Sequence, residues 1–213
     1  MNKASLTEIC NSDTAYLIGA MHDGFLYEKD YCISIGQKSE EWLKYLQKLF
    51  EKNFNVKSKI RKWKFKNAFE LRIFSKELFF FIKNNFYNEE IPRIIRENKK
   101  FWIPYVSGYF DAEGHCTKPS TFAKTGKKKI SLHQNSKESL EFVKEAFESY
   151  GIKSSKIYLQ RGRKCHALYV QSKNGIIKFS NTFSPVQKRQ AVDELVKILC
   201  TGDTKAGSSR NVP

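Results

Sequence analysis

The apolar positions of this chain follow one series of periods, and the series runs through twice. Within 39–54, Trp42, Leu43, Leu46, Leu49 and Phe50 fall at helical spacing behind a serine and a charged first turn. Residues 136–150 repeat the plan with Leu140, Val143, Ala146 and Phe147. A strand-like pair precedes each helix, over 25–35 in the first half and about 117–133 in the second. A second pair follows each, 57–64 with 69–74 and 156–160 with 167–171, turning at Lys66-Asn67 and at Gly162-Arg163-Lys164. Helices over 76–86 and 174–183 close the halves, and a further helix is expected over 185–200. With a helix opening each half, the order is α-β-β-α-β-β-α, twice. This predicts an α+β protein with halves at 12–100 and 101–200. The small, polar tail 201–213 is expected to be disordered.

The duplication extends to residue identities. Gln37-Lys38-Ser39-Glu40-Glu41 returns as Gln134-Asn135-Ser136-Lys137-Glu138 at an offset of 97, which Ser58-Lys59-Ile60 with Ser155-Lys156-Ile157 and Ser75-Lys76 with Ser172-Lys173 share. Ahead of these echoes stand two helix-like stretches, YLIGAMHDG over 16–24 and VSGYFDAEG over 106–114. Each ends in an acid and a glycine, and Asp23 and Glu113 lie 90 positions apart. The change from 90 to 97 places seven extra residues in the second half, around 118–129, where they are expected to lengthen the hairpin. One acid per half at matching places predicts a pseudo-symmetric pair meeting at a shared site.

Charge narrows the class of partner. The 213 residues carry 38 Lys and Arg against 22 acids, a net charge of +16, which points to a polyanion. A membrane is the weaker choice: no apolar run nears about 18 residues, the longest block, LFFFI at 78–82, stops at Lys83, and residues 1–13 are polar and mixed rather than signal-like. Double-stranded DNA fits better. Five scattered cysteines without CxxC spacing read as free thiols of a cytoplasmic protein. The strands alternate apolar residues with long polar or basic ones: Arg61, Trp63, Lys64, Lys66 and Arg72 in the first half. The second has Lys118, Lys128, His133, Gln160, Arg161, Arg163, Lys164 and Tyr169. Such faces can lie along a major groove, with basic groups on phosphates and Arg, Lys, Gln or Tyr on base edges. Protection of sheet edges by lysine is the competing explanation; recurrence in both halves favours the groove.

An acid at a helix C-terminus opposes the dipole by about 0.3–1 kcal/mol. One such placement before a glycine suited to a left-handed C′ position is an ordinary turn pair. Two at equivalent positions call for a compensating partner, and two carboxylates with room for water and phosphate suit Mg²⁺ better than zinc. Ala15 with Gly19, and Gly108 with Ala112, put small residues at i, i+4 on each helix. That spacing lets two helix backbones approach closely and would bring Asp23 and Glu113 to one end. His22 and His115 flank the acids, where a supporting or DNA-contacting role is favoured over metal binding. Cys116 is near the site but is not needed as a nucleophile.

On these residues the chain resembles single-chain LAGLIDADG homing endonucleases of the kind encoded within archaeal introns. VSGYFDAEG fits the nine-residue family motif, with Gly108, Ala112, Glu113 and Gly114 in place, and the resemblance spans about 12–200. In YLIGAMHDG, Gly19 stands one place nearer its acid and His22 takes a position usually held by a small residue. The resemblance implies a saddle of two pseudo-symmetric repeats with the motif helices at the interface. It implies a metal-dependent, staggered double-strand cut of a long asymmetric target by a monomer, with Asp23 and Glu113 binding the catalytic metals. Gln37, in QKSE, and its counterpart Gln134 would lie near the site. Lys188 and Lys100, near the final helices of each half, are the candidates for the basic residue that assists cleavage. An RNA maturase acting on its own intron, or a catalytically silent DNA-binding regulator, could use the same scaffold.

Overall fold

The computed structural model describes residues 10–64, 67–84 and 92–201. Its contacts divide the chain into two units: the chain through Glu113 with Pro185–Gln187, and Gly114–Ser184 with the chain from Lys188 onward. The expected tail lies beyond Thr201, outside the described residues. Among those residues no helix is long and apolar enough to cross a membrane.

In the first unit, α1 (Ser12–Ala20) runs into a 3-10 turn (Met21–Asp23), then β1 (Gly24–Tyr27), β2 (Cys32–Gln37), α2 (Glu40–Phe54), β3 (Ser58–Lys62), β4 (Phe69–Phe74) and α3 (Lys76–Ile82). Short α4 (Arg93–Glu97) and a 3-10 turn (Lys99–Phe101) lead into α5 (Trp102–Glu113). The strands form an antiparallel sheet in the order β1-β2-β4-β3. Ser39 caps α2 by accepting from the Trp42 N–H, and Ser75 caps α3 the same way from Leu78. The apolar stripe of α2 meets the buried face of the sheet: Leu43, Leu46 and Phe50 pack with Ile33, Ile35, Leu71, Ile73 and Phe79.

The second unit repeats the plan: β5 (Gly114–Cys116), α6 (Pro119–Thr125), β6 (Ile130–Gln134), α7 (Lys137–Ser149), β7 (Tyr158–Leu159), β8 (His166–Val170), α8 (Lys173–Thr182) and α9 (Arg189–Thr201), with sheet order β5-β6-β8-β7. Ser136 and Ser172 are the caps of α7 and α8. Leu140, Val143, Ala146 and Phe147 are buried as their spacing predicts, and Phe147, Phe179 and Phe183 close the core with ring centroids 5.1–5.7 Å apart.

The mixed α+β expectation therefore holds, with two antiparallel four-stranded sheets. Two local expectations do not. The seven extra residues of the second half form α6 instead of lengthening a hairpin. Pro119 at the first helical position and Gly126 in the left-handed region (φ 63°) start and stop it, while Thr117 and Lys129 pair beneath it through Thr117 N–H to the Lys129 carbonyl (3.0 Å). The final helix begins at Arg189, not 185, because Pro185–Gln187 groups with the first unit as a strap that bends at Val186 and turns at Gln187.

Candidate active site

Helices α1 and α5 interlock at two glycines. A Cβ on Gly19 would stand 2.1 Å from the Tyr105 carbonyl oxygen, and one on Gly108 would stand 2.1 Å from that of Tyr16. The small-residue spacing predicts this approach, which no larger residue permits. The charge of Lys100, just ahead of α5, acts on Cys10, just ahead of α1, so the helices start together and run the same way. Asp23 and Glu113 thus end their helices at the same end of the pair.

The short first motif is accommodated by geometry. Between Gly108 and Glu113 the helix stays α, five steps of about 1.5 Å. Between Gly19 and Asp23 there are only four steps. Three of them fall in the 3-10 turn, which rises about 2.0 Å per residue. Both acids therefore lie about 7.5 Å along the axis from their glycines. His22, at the position expected to be small, sits against Tyr109 (ring centroids 4.4 Å) and shares a 2.9 Å hydrogen bond with the Tyr105 hydroxyl. Burial holds its pKa down at about 4, so it is neutral at pH 7. Its role is to fill and fasten the helix pair.

The glycines after the acids are not left-handed. Gly24 is extended (φ −91°, ψ 155°) and Gly114 opens β5. The motif ends by turning straight into a strand, and at Gly24 the reason for glycine is room: a Cβ would meet the Met21 carbonyl at 2.8 Å. The register then carries Gln37 to the site. Gly24 pairs with Ile35, and two residues on, the Gln37 side-chain N–H donates to Asp23 Oδ2. Gly114 pairs with Leu132, and Gln134 likewise stands two residues on. Both glutamines accept from the next backbone N–H, at 3.3 Å from Lys38 and 2.7 Å from Asn135.

The two lysine candidates part company. Lys188 lies close enough to His115 and Cys116, the residues just past the Glu113-Gly114 pair, that its charge acts on both. Burial, and then the Lys188, Lys118 and Lys129 charges, lower the His115 pKa. Burial pushes the Cys116 thiol up to about 12, which rules out a ready thiolate. Lys100 is a correction. It precedes α5, sits over the Phe101 ring (4.7 Å) and acts on Cys10, at the start of the helix pair. The 12 residues of α5 put about 18 Å of helix between it and Glu113.

Alternation along the strands sets one face of each sheet against the apolar core and turns the other, here called the free face, away from it. On the free face of the first unit, register places Arg72 beside Ser34 and Lys59, and Arg61 opposite Glu70. Glu70, only 4% exposed, gathers that face: it accepts from Ser34 Oγ (2.5 Å), Arg61 Nε (2.5 Å) and Trp63 Nε1 (3.2 Å). Burial alone would raise its pKa, but these donors and the Arg61 charge outweigh it and hold the carboxyl low. Arg61 and Trp63, expected to reach DNA, are thus pre-set by an acid that the sequence reading passed over. Arg72 lies over the Phe74 ring (4.9 Å), and Phe74, Phe25 and Tyr27 are exposed on the same face. Lys64 is exposed; Lys66 lies outside the described residues.

In the second unit the free face carries His115, Ser131, His133, Tyr169 and Gln160. Gln160 Nε2 and His133 Nδ1 are hydrogen-bonded at 2.9 Å, and Lys129 lies over the Tyr169 ring (4.6 Å). Arg161, Arg163 and Lys164 project from an exposed turn at Gly162 (φ 74°). Lys118 is exposed at the start of α6, and Lys128 lies half-buried beyond its end.

Two further groups were hidden from sequence reasoning. Asp111, fully buried in α5, accepts from Tyr16 Oη (2.5 Å) and from the Val186 N–H (2.5 Å), while Trp42 Nε1 donates to Tyr16 Oη (2.8 Å). Gln187 Nε2 reaches Gln37 Oε1 at 3.4 Å. Neither residue has a signal in the repeat, since each acts across a long sequence separation.

Among the described residues no group of three or more His, Cys, Asp or Glu side chains could hold a metal ion. The two carboxylates supply few, hard oxygens. That set fits a cation which takes its remaining ligands from water and phosphate.

A pair of interlocked motif helices, each ending in an acid ahead of a β-sheet, defines the LAGLIDADG class. The family model described as the LAGLIDADG-like domain matches residues 22–83 and 103–183, and the chain belongs to that family. It is 31% identical to the homing endonuclease I-DmoI of Desulfurococcus mucosus over 183 residues, 79% of this chain and 86% of that one. To the homing endonuclease I-ApeI of Aeropyrum pernix it is 29% identical over 163 residues, 68% of each chain. The crystal structure of I-DmoI in complex with DNA and Mn superposes with a TM-score of 0.61 at 28% identity, covering 81% of this chain and 96% of that one.

Proposed function

We propose that this chain is a site-specific DNA endonuclease of the homing type, using Mg²⁺ to make a staggered double-strand cut in a long, asymmetric target as a monomer. The observation that carries the reading is the pairing of Asp23 and Glu113 at one end of two interlocked helices, with Gln37 fastened to Asp23. Relatives named homing endonucleases, one solved with DNA and manganese, support the substrate class and the use of a divalent cation.

When bound, a divalent cation supplies positive charge to the phosphate and makes a nearby water more acidic. Asp23 and Glu113 hold the cation; Gln37 fixes the Asp23 carboxylate by donating to it. Lys188 offers its ammonium to the negative charge that builds on the phosphate. The free sheet faces bind the duplex through Arg72, Lys64, Arg161, Arg163, Lys164, Lys118 and Lys128. Arg61, Trp63, His133, Gln160 and Tyr169 are placed for base edges. Because the two faces differ in composition, the half-sites differ, which makes the target asymmetric.

The test is cleavage, with Mg²⁺, of a duplex made by joining the sequences that flank this reading frame. A staggered cut at one position supports the proposal. Tight binding without cleavage under Mg²⁺ or Mn²⁺ would identify a silent DNA-binding regulator. Protein-dependent splicing of the parent transcript without DNA cleavage would identify a maturase.

A further inference from the structure

The strap Pro185–Gln187 belongs to the first unit although it follows the whole second repeat. What fastens it is the buried carboxylate of Asp111, which accepts from the Val186 N–H two residues before Glu113 in the motif helix. The Tyr16 hydroxyl, itself held by Trp42, fills the same carboxylate. Both donors meet the same oxygen, Asp111 Oδ2, and a buried carboxylate gains from each donor it accepts, so the clasp holds Val186 and delivers the next residue, Gln187, to Gln37.

The Asp23 carboxylate only accepts, so Gln37 must turn its amide nitrogen toward it. Its Nε2 donates to Asp23 in the observed orientation, and its Oε1 must then find donors. It has two: the Lys38 N–H at 3.3 Å and Gln187 Nε2 at 3.4 Å. The Gln187 amide therefore holds, from the far side, the orientation in which Gln37 gives its donor to the acid. Beside it, the Gln187 Oε1 is buried and meets no hydrogen-bond donor among the described residues. A buried carbonyl of this kind is an unfilled acceptor, placed beside the Gln37–Asp23 pair where it can accept a hydrogen bond from a water molecule.

We propose that Gln187 is a positioning residue of the active site, acting on Asp23 through Gln37 and accepting from a water beside them. Resting on the nuclease reading, this adds an asymmetry to it: the strap serves Asp23. Losing Gln187 slows the strand cut that depends on Asp23 more than the other, and nicked DNA accumulates.

The experiment pairs two readouts on full-length protein. The first needs no activity: in metal-free protein, the Gln37 side-chain amide protons, assigned by NMR, are protected from exchange, and Gln187→Ala removes that protection. The second is strand-resolved cleavage of an end-labelled duplex in Mg²⁺. Gln187→Ala slows one strand by roughly tenfold or more relative to the other, with gel-shift affinity in Ca²⁺ unchanged. Gln187→Glu, which sets an acceptor against Gln37 Oε1 in place of the donor, is at least as severe. An unchanged Gln37 amide signal in Gln187→Ala overturns the proposal, as does equal slowing of both strands. If wild-type protein cuts no DNA, the nuclease reading falls, and the amide signal still decides whether Gln187 sets Gln37.

Discussion

The Tyr105 carbonyl passes Gly19 so closely that a single added carbon would stand 2.1 Å from its oxygen, and Tyr16 does the same to Gly108. A Cβ at either place strikes backbone, which cannot swing aside as a side chain can. Gly19→Ala and Gly108→Ala are expected to destabilise the protein by about 3 kcal/mol or more, the upper end of the cost of overpacking. Denaturant unfolding checks this; a loss under about 1 kcal/mol in either variant means that the helices are not in backbone contact.

Asp23→Asn and Glu113→Gln keep nearly the same shape while removing one charge each. Either change is expected to abolish or cripple cutting while duplex binding survives, since binding rests on the sheet faces. Cleavage in Mg²⁺ beside gel shifts in Ca²⁺ separates the two. A variant cutting at the wild-type rate removes that carboxylate from the mechanism. Joint loss of binding and folding makes both acids structural.

Glu70 is held low in pKa against its burial by Ser34, Arg61 and Trp63. Its contribution to stability is fully present above the unfolded carboxyl pKa, about 4.5, and is lost as pH falls through the lower folded value. Glu70→Leu leaves those donors without their acceptor and should cost about 1–3 kcal/mol at pH 7. It also frees Arg61 and Trp63, so base preference in one half-site should broaden. Unfolding curves at pH 7, with selection from a randomised target library, measure both effects; unchanged preference means that Glu70 has no part in recognition.

His22 titrates in the opposite chemical sense but with the same pH direction. Its folded pKa of about 4 lies below its ordinary value of 6.5, so the folded state resists taking up a proton. Stability is full above about pH 6.5 and falls progressively as pH drops toward 4. In His22→Gln, which keeps a hydrogen-bonding group near Tyr105, the slope of unfolding free energy against pH between 6.5 and 4 should be shallower. An unaltered slope would show that His22 is solvated.

The net charge of +16 predicts binding governed by counterion release. Affinity for the duplex should fall about a thousandfold or more between roughly 50 and 200 mM salt, with one protein chain per target. Replacing Lys64 or Lys164 should reduce the salt slope by about one and weaken all sequences alike. Affinity indifferent to salt would refute the electrostatic footprint, and two chains per target would refute the monomer.

The serines at 39 and 136, the helical stripes behind them and the alternating strands are local patterns, and each formed the element its period predicts. The two acids and the small residues before them were legible because duplication marks equivalent positions, and because close helix packing demands glycine in a recognisable spacing. Residues 119–125 form a helix rather than a longer hairpin because a length difference says only how many residues are added, while Pro119 and Gly126 decide that they coil.

The sequence by itself determined what repeats: the element order, the paired acids, the basic excess and the family. Tertiary structure alone decided what depends on burial and on contacts across the chain. It buried Glu70 beneath Arg61, put Lys100 at the far end of its helix, fastened Val186 to Asp111 and brought Gln187 to Gln37. Local periodicity fixes which face a side chain takes. Whether a polar group on that face is solvated or enclosed depends on which distant atoms complete its hydrogen bonds, and no spacing along the chain encodes those.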